Sequence, residues 1–128
     1  MRKQVLSDRG AQPQGPYSPA IVTEGPLVFV SGQGPVDPET GEKRLGSFRE
    51  QAELTFQNVN VLLEAAGTSW KHAVKVGVFL ADLGNFAEMN EIYRRYLTPP
   101  FPARTTVEAG LAPGMGIEVD CIAVVPQE

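Results

Sequence analysis

Only two stretches of this chain repeat apolar residues at helical spacing, which limits how a sheet built from the rest can be covered. Ser47-Phe48-Arg49-Glu50 reads as a capping box, because the serine hydroxyl and the glutamate carboxylate can each satisfy a free amide. Phe48, Ala52, Phe56, Val59, Leu63 and Ala66 follow at helical spacing, and Gly67 suits the left-handed position after a helix end. A helix is therefore predicted over 48–66. The second is predicted to start at Asn85, with Glu88 three residues on, and to carry Phe86, Met89, Tyr93 and Tyr96 on one side. It ends before Pro99-Pro100.

The remaining apolar runs read as strands. Residues 20–23 and 27–31 are β-rich and flank the turn signal Glu24-Gly25-Pro26, so they are expected to form a strand pair. Three prolines keep 10–19 extended and irregular. Asp37-Pro38-Glu39-Thr40-Gly41 is a further turn. Strands are predicted at 73–80, 104–109 and 116–125, giving the order β-β-α-β-α-β-β. Two helices cover one face of such a sheet, so the expected fold is an α+β sandwich whose other face takes its cover from elsewhere. Parity in the last strand agrees. Ile117, Val119, Cys121, Ala123 and Val125 make a core face, whereas Glu118, Asp120, Ile122 and Val124 make a face that is half apolar. Such a face fits either a subunit contact or a solvated surface with scattered apolar residues.

Charge and rare residues narrow the function. The chain has 128 residues, 11 Lys+Arg against 15 Asp+Glu, and a formal net charge of −4, which argues against a general nucleic-acid binder. It is read as a single domain over 1–128. One cysteine, Cys121, excludes an internal disulfide, and with one histidine, His72, no zinc site of the usual Cys/His type can be built from one chain. No apolar run is long enough to span a membrane and no signal peptide is recognised, so the expected location is cytoplasmic. Phosphate-loop, dinucleotide and nucleophile-elbow motifs are absent, and Ser31-Gly32-Gln33-Gly34-Pro35 leads into a turn rather than a helix. His72 is read as a structural residue, Cys121 as a small buried hydrophobe, and Arg94 and Arg95 as solvated complements to a helix dipole.

Arg104 stands apart. It follows Phe101-Pro102-Ala103, opens a strand of small and apolar residues, and could project a guanidinium fork into a cleft to bind a carboxylate. On composition alone, an intrachain ion pair with one of the 15 acids is the simpler reading. Gly15-Pro16-Tyr17-Ser18, Val30-Ser31-Gly32-Gln33, Glu64-Ala65-Ala66-Gly67, Val78-Phe79-Leu80-Ala81-Asp82-Leu83, Pro102-Ala103-Arg104 and Ile117-Glu118-Val119-Asp120 shift that balance. In order and spacing the chain resembles the reactive-intermediate deaminase family, the RidA-like or YjgF-type imine deaminases.

The resemblance implies a chorismate-mutase-like α+β sandwich with two helices on one face of a mixed sheet. It implies a homotrimeric barrel with ligand clefts between subunits, and no cofactor or metal. The implied reaction is hydrolysis of enamines and imines such as 2-aminoacrylate and 2-iminopropanoate to 2-keto acids and ammonia. By position, Arg104 matches the carboxylate-binding arginine and Glu118 the acid that assists water attack. Tyr17, Ser31, Gly32 and Asn90 match cleft residues. Thr106 stands where some relatives carry cysteine, and Gly34 replaces a larger apolar residue. The expected partners are a small imino or 2-keto acid and two further copies of the chain, with neither nucleic acid nor membrane. The alternatives are a non-catalytic metabolite-binding or regulatory trimer, a specialised hydrolase of the same family, and an RNA-processing relative, which the charge disfavours.

Overall fold

In the computed structural model, which describes residues 2–127, the elements run β1 (Arg2–Val5), β2 (Ala20–Thr23), β3 (Leu27–Gln33), α1 (Phe48–Ala65), β4 (Ala73–Leu80), α2 (Phe86–Tyr96), β5 (Ala103–Glu108) and β6 (Ile117–Val124). Helix α1 starts with the predicted reciprocal cap. The Ser47 hydroxyl accepts from the Glu50 amide at 3.2 Å, and the Glu50 carboxylate accepts from the Ser47 amide at 3.0 Å. A cap of this kind stabilises a helix by about 0.5–2 kcal/mol. Gly67 follows with φ 84°, as expected for a residue that turns the chain off a helix.

A four-stranded sheet, β3-β6-β4-β5, carries both helices on one side. Its β3-β6 and β6-β4 pairs are antiparallel, while β4-β5 is parallel and is connected through α2. Ala52, Phe56, Val59 and Leu63 of α1 and Met89, Ile92 and Tyr93 of α2 are fully buried against Val76, Val78, Leu80, Ile117 and Val119. Each large side chain buried there contributes about 1.5–3 kcal/mol. Phe56 anchors an aromatic cluster, 5.2 Å from Tyr96, 5.5 Å from Trp70 and 6.0 Å from Tyr93 between ring centroids.

The opposite face is largely bare. Phe29 is 69% exposed there, with Leu27 and Val107 also exposed and Ile122 half-buried. The parity reading of β6 therefore holds for Glu118, Asp120 and Ile122. Val124 departs from it: the side chain is 1% exposed, and its Cγ2 lies within 3.2 Å of the Cβ position at Gly25.

Three expectations are corrected. Strands β2 and β3 do not pair. Strand β2 forms a separate ribbon with β1, a strand the sequence reading missed because Arg2-Lys3-Gln4-Val5 carries a single apolar residue. The turn at Gly25, φ 118°, instead delivers Pro26, whose carbonyl accepts from the Val125 amide. Second, Asn85 makes no side-chain cap, so no capping box forms with Glu88. Asp82 caps a short 3₁₀ turn ahead of α2, and Glu88 pairs with Arg49 of α1 at 3.2 Å. Third, Arg95 is not merely solvated but pairs with Glu53 across the two helices. Among the described residues no helix is long and apolar enough to cross a membrane.

Candidate functional site

Helix periodicity builds the first half of the site. Phe86, Asn90 and Tyr93 stand at i, i+4 and i+7 on α2 and so share one side of the helix. Arg104 meets them from β5. Its Nη1 donates to Asn90 Oδ1 at 2.7 Å, and its guanidinium carbon lies 4.9 Å from the Tyr93 ring centroid, 5.6 Å from Phe86 and 5.8 Å from Tyr17. Cation–π contacts of this kind contribute roughly 0.5–2 kcal/mol each and fix the plane of the fork.

Tyr17 is brought in by the proline-rich segment. The Ser18 amide donates to the Pro102 carbonyl at 3.0 Å and the Ser18 hydroxyl to the Phe101 carbonyl, which ties that segment to the entry of β5. The Gln14 amide donates to the Tyr17 hydroxyl at 3.1 Å.

The sequence alternatives for Arg104 now separate. No carboxylate among the described residues pairs with it. Burial pulls the guanidinium below its ordinary range, and the Tyr93 and Tyr17 side chains offset part of that. The group nevertheless remains protonated at any working pH. Arg104 is thus a half-buried cation held by an amide oxygen and three ring faces. That arrangement suits a ligand carboxylate, which supplies the missing negative charge. Tyr93 is fully buried, its hydroxyl has no hydrogen-bond partner, and burial holds its phenol well above the usual range. Thr106 lies two residues along β5, and its hydroxyl is enclosed and also without a partner.

The second half of the site is on β3 and β6. Val30 pairs with Cys121 and Gln33 with Val119, so three steps along β3 answer two along β6. Ser31 and Gly32 lie in this β-bulge, a device that re-aims side chains and ends regular pairing. Both are exposed. The Glu118 side chain rests on Gly32 so closely that a Cβ there would lie 2.9 Å from the carboxyl carbon. Asp120 leans the other way and rests on Gly77 of β4, where a Cβ would lie 3.0 Å from its carboxyl carbon. The two acids share a sheet face yet serve different neighbours.

Within one chain the two halves are not brought together. Arg104 pairs with Val76, a residue of the helix-covered face, whereas Glu118 pairs with Phe79, of opposite parity on the same strand. Tyr17, Asn90 and Arg104 thus form one cluster, and Ser31, Gly32 and Glu118 form another on the bare face. Sequence reasoning missed the roles of Phe86 and Tyr93. Their i−4 and i+3 spacing to Asn90 was the available signal.

Cys121 is 1% exposed, and burial together with the Asp120 charge pushes its thiol up to about 12, so it is no nucleophile at neutral pH. The small residue at Gly34 leaves no gap. The Met115 side chain fills the space, with its sulfur 3.3 Å from where a Cβ would stand.

Gly32→Ala is expected to push the Glu118 carboxylate off its seat. The atoms that a Cβ would meet belong to the flexible Glu118 side chain, so thermal stability should move little. Activity that depends on Glu118 should fall by about ten-fold or more, since small displacements of catalytic groups cost up to about 10²-fold. Unchanged turnover in Gly32→Ala would show that the seat does not matter.

Residues 9–125 match the protein family described as endoribonuclease L-PSP. The chain is 44% identical over 125 residues to protein DfrA of Myxococcus xanthus, covering 96% of this chain and 95% of that one. It is 37% identical over 111 residues to human 2-iminobutanoate/2-iminopropanoate deaminase, covering 86% and 80%. Its fold superimposes with a TM-score of 0.74 on RidA from an Antarctic Psychrobacter, at 39% identity and covering 96% and 99%. The sandwich of two helices on a mixed sheet is therefore of the chorismate-mutase-like type expected.

Proposed function

The chain belongs to the endoribonuclease L-PSP family, which includes the reactive-intermediate deaminases, and from that premise we propose that it hydrolyses 2-imino acids and their enamine tautomers to 2-keto acids and ammonia. The observation that carries this reading is Arg104, a guanidinium fixed by Asn90 and three rings and paired with no acid among the described residues. An imino acid places a carboxylate directly beside its electrophilic carbon. A fork that grips the carboxylate sets that carbon in a fixed place.

Water then adds to the C=N carbon, and the nitrogen takes a proton as the C–N bond breaks. Glu118 relays both water protons in turn, the first to the nitrogen as the carbinolamine C(OH)NH2 forms and the second from its hydroxyl to the nitrogen as the C–N bond breaks, so ammonia departs and the C=O remains. Because Arg104 and Glu118 belong to opposite faces of one sheet, the reaction needs them from two copies. The bare, half-apolar face supports assembly into a homotrimer with clefts between subunits.

The test uses imines generated in situ by an amino-acid oxidase, with the uncatalysed rate subtracted. Light scattering should return the mass of three chains. Arg104→Ala and Glu118→Gln are each expected to be inactive. Dissociated, mixed in equal amounts and reassembled, they should regain roughly a quarter of wild-type activity, because one interface in four pairs an intact arginine with an intact glutamate. No recovery in verified mixed oligomers would place both residues in one chain's site. Wild type with no rate above background on any imine would end the deaminase reading.

A further inference from the structure

Three basic side chains, Arg2, Lys71 and His72, line a cleft of about 420 Å³ together with Thr98, Pro100 and Gln127. None of these belongs to either half of the site described above. The cleft's size lies within the range typical of small-molecule sites, about 300–1,000 Å³.

Arg2 is its built component. Its Nε donates to the Lys71 carbonyl at 3.0 Å and its Nη2 to the Pro100 carbonyl at 2.7 Å, so the planar group is clamped between the entry to β4 and the segment leading to β5. The remaining nitrogen, Nη1, is enclosed and has no acceptor among the described residues. Two neutral carbonyls hold the group but do not cancel its charge.

Lys71 is exposed beside it and makes no ion pair among the described residues. His72 is half-buried, and burial followed by the Lys71 and Arg2 charges holds its imidazole below the usual range. Among the described residues, no Asp or Glu lines the cleft. In a chain of net charge −4, three basic side chains converging with no acid among the described lining residues are not the background composition.

We infer that this cleft is a second anion site, which takes the phosphate group of a small phosphorylated molecule. A fixed guanidinium, a mobile ammonium, an imidazole and the Thr98 hydroxyl offer more donors than one carboxylate can use. They suit a dianion with three acceptor oxygens. The cleft is distinct from the carboxylate fork, although buried Tyr93 feels the charges of both Arg2 and Arg104.

Calorimetric titration of the full chain with pyrophosphate, at constant ionic strength, tests this. One site per chain is expected. Lys71→Glu should weaken it by about ten-fold or more, because a charge-assisted contact becomes a repulsion. Lys71 is exposed, so imine turnover and melting temperature should not change. His72→Gln should weaken binding less. Lys43→Glu, at a remote exposed lysine, and Arg104→Ala should leave it unchanged. Absence of binding by wild type at millimolar pyrophosphate overturns the inference. So does equal binding by Lys71→Glu, or a loss in Arg104→Ala that Lys71→Glu does not show, which would move the anion to the carboxylate fork. Tighter binding of citrate than of pyrophosphate overturns the phosphate assignment. None of these outcomes bears on whether the chain hydrolyses imines, which the oxidase-coupled assay reads separately.

Discussion

Arg104→Lys is expected to lower kcat/KM for oxidase-generated imino acids by at least about 10²-fold, with the oligomer mass unchanged. Lysine keeps the charge but loses the geometry. The guanidinium makes its Asn90 contact at 2.7 Å with Nη1, which leaves its other edge for a carboxylate. An ammonium is a compact point charge and cannot hold that plane against the faces of Tyr93, Phe86 and Tyr17. Arg104→Ala should abolish the accelerated reaction altogether. Steady-state rates on the purified variants, after light scattering has confirmed their mass, make the comparison. Near-normal turnover in Arg104→Lys would mean that charge alone suffices and that the fork argument is wrong.

The second large effect is expected from Glu118→Gln, which should reduce turnover by at least roughly 10²-fold, the usual cost of removing a general acid–base group. Asp120→Asn serves as its control. The two residues lie on one face, about 6.6–6.8 Å apart along the strand, too far to serve one water. Their surroundings also diverge, since Glu118 lies over Gly32 in the bulge and Asp120 over Gly77 inside the sheet. Glutamine and asparagine keep shape and hydrogen bonding, so the comparison isolates proton transfer. A dead Asp120→Asn beside a near-normal Glu118→Gln would reverse the assignment on this strand.

The helices and the core strands were legible because their signals are local. The Ser47–Glu50 box, Gly67 and the Val-rich 73–80 run each resolve into the element expected, with α1 ending one residue earlier. What failed depends on long-range partners. Arg2–Val5 has too little apolar alternation to read as a strand, and it becomes one by pairing with Ala20–Thr23. That pairing also removes β2 from the partner its turn signal suggested. The site was half legible for the same reason. Asn90 and Arg104 could be named from residue type and resemblance. The ring faces of Phe86 and Tyr93 emerge only when α2 and β5 are seen packed together. The one-residue bulge at Ser31-Gly32 is a mismatch between two strands and cannot be read from either alone.

The uncompensated guanidinium has a kinetic consequence. In the proposed reaction the carboxylate assigned to Arg104 is untouched, so imino acid and 2-keto acid would present the same group to it. Its hold is therefore uniform along much of the reaction path. It raises the rate at scarce substrate more than it raises the rate at saturation. The hydrolysed molecule competes for the same fork as the next substrate, and accumulated 2-keto acid should act as a competitive inhibitor. Such a site suits the removal of a trace compound kept dilute, not the processing of an abundant one.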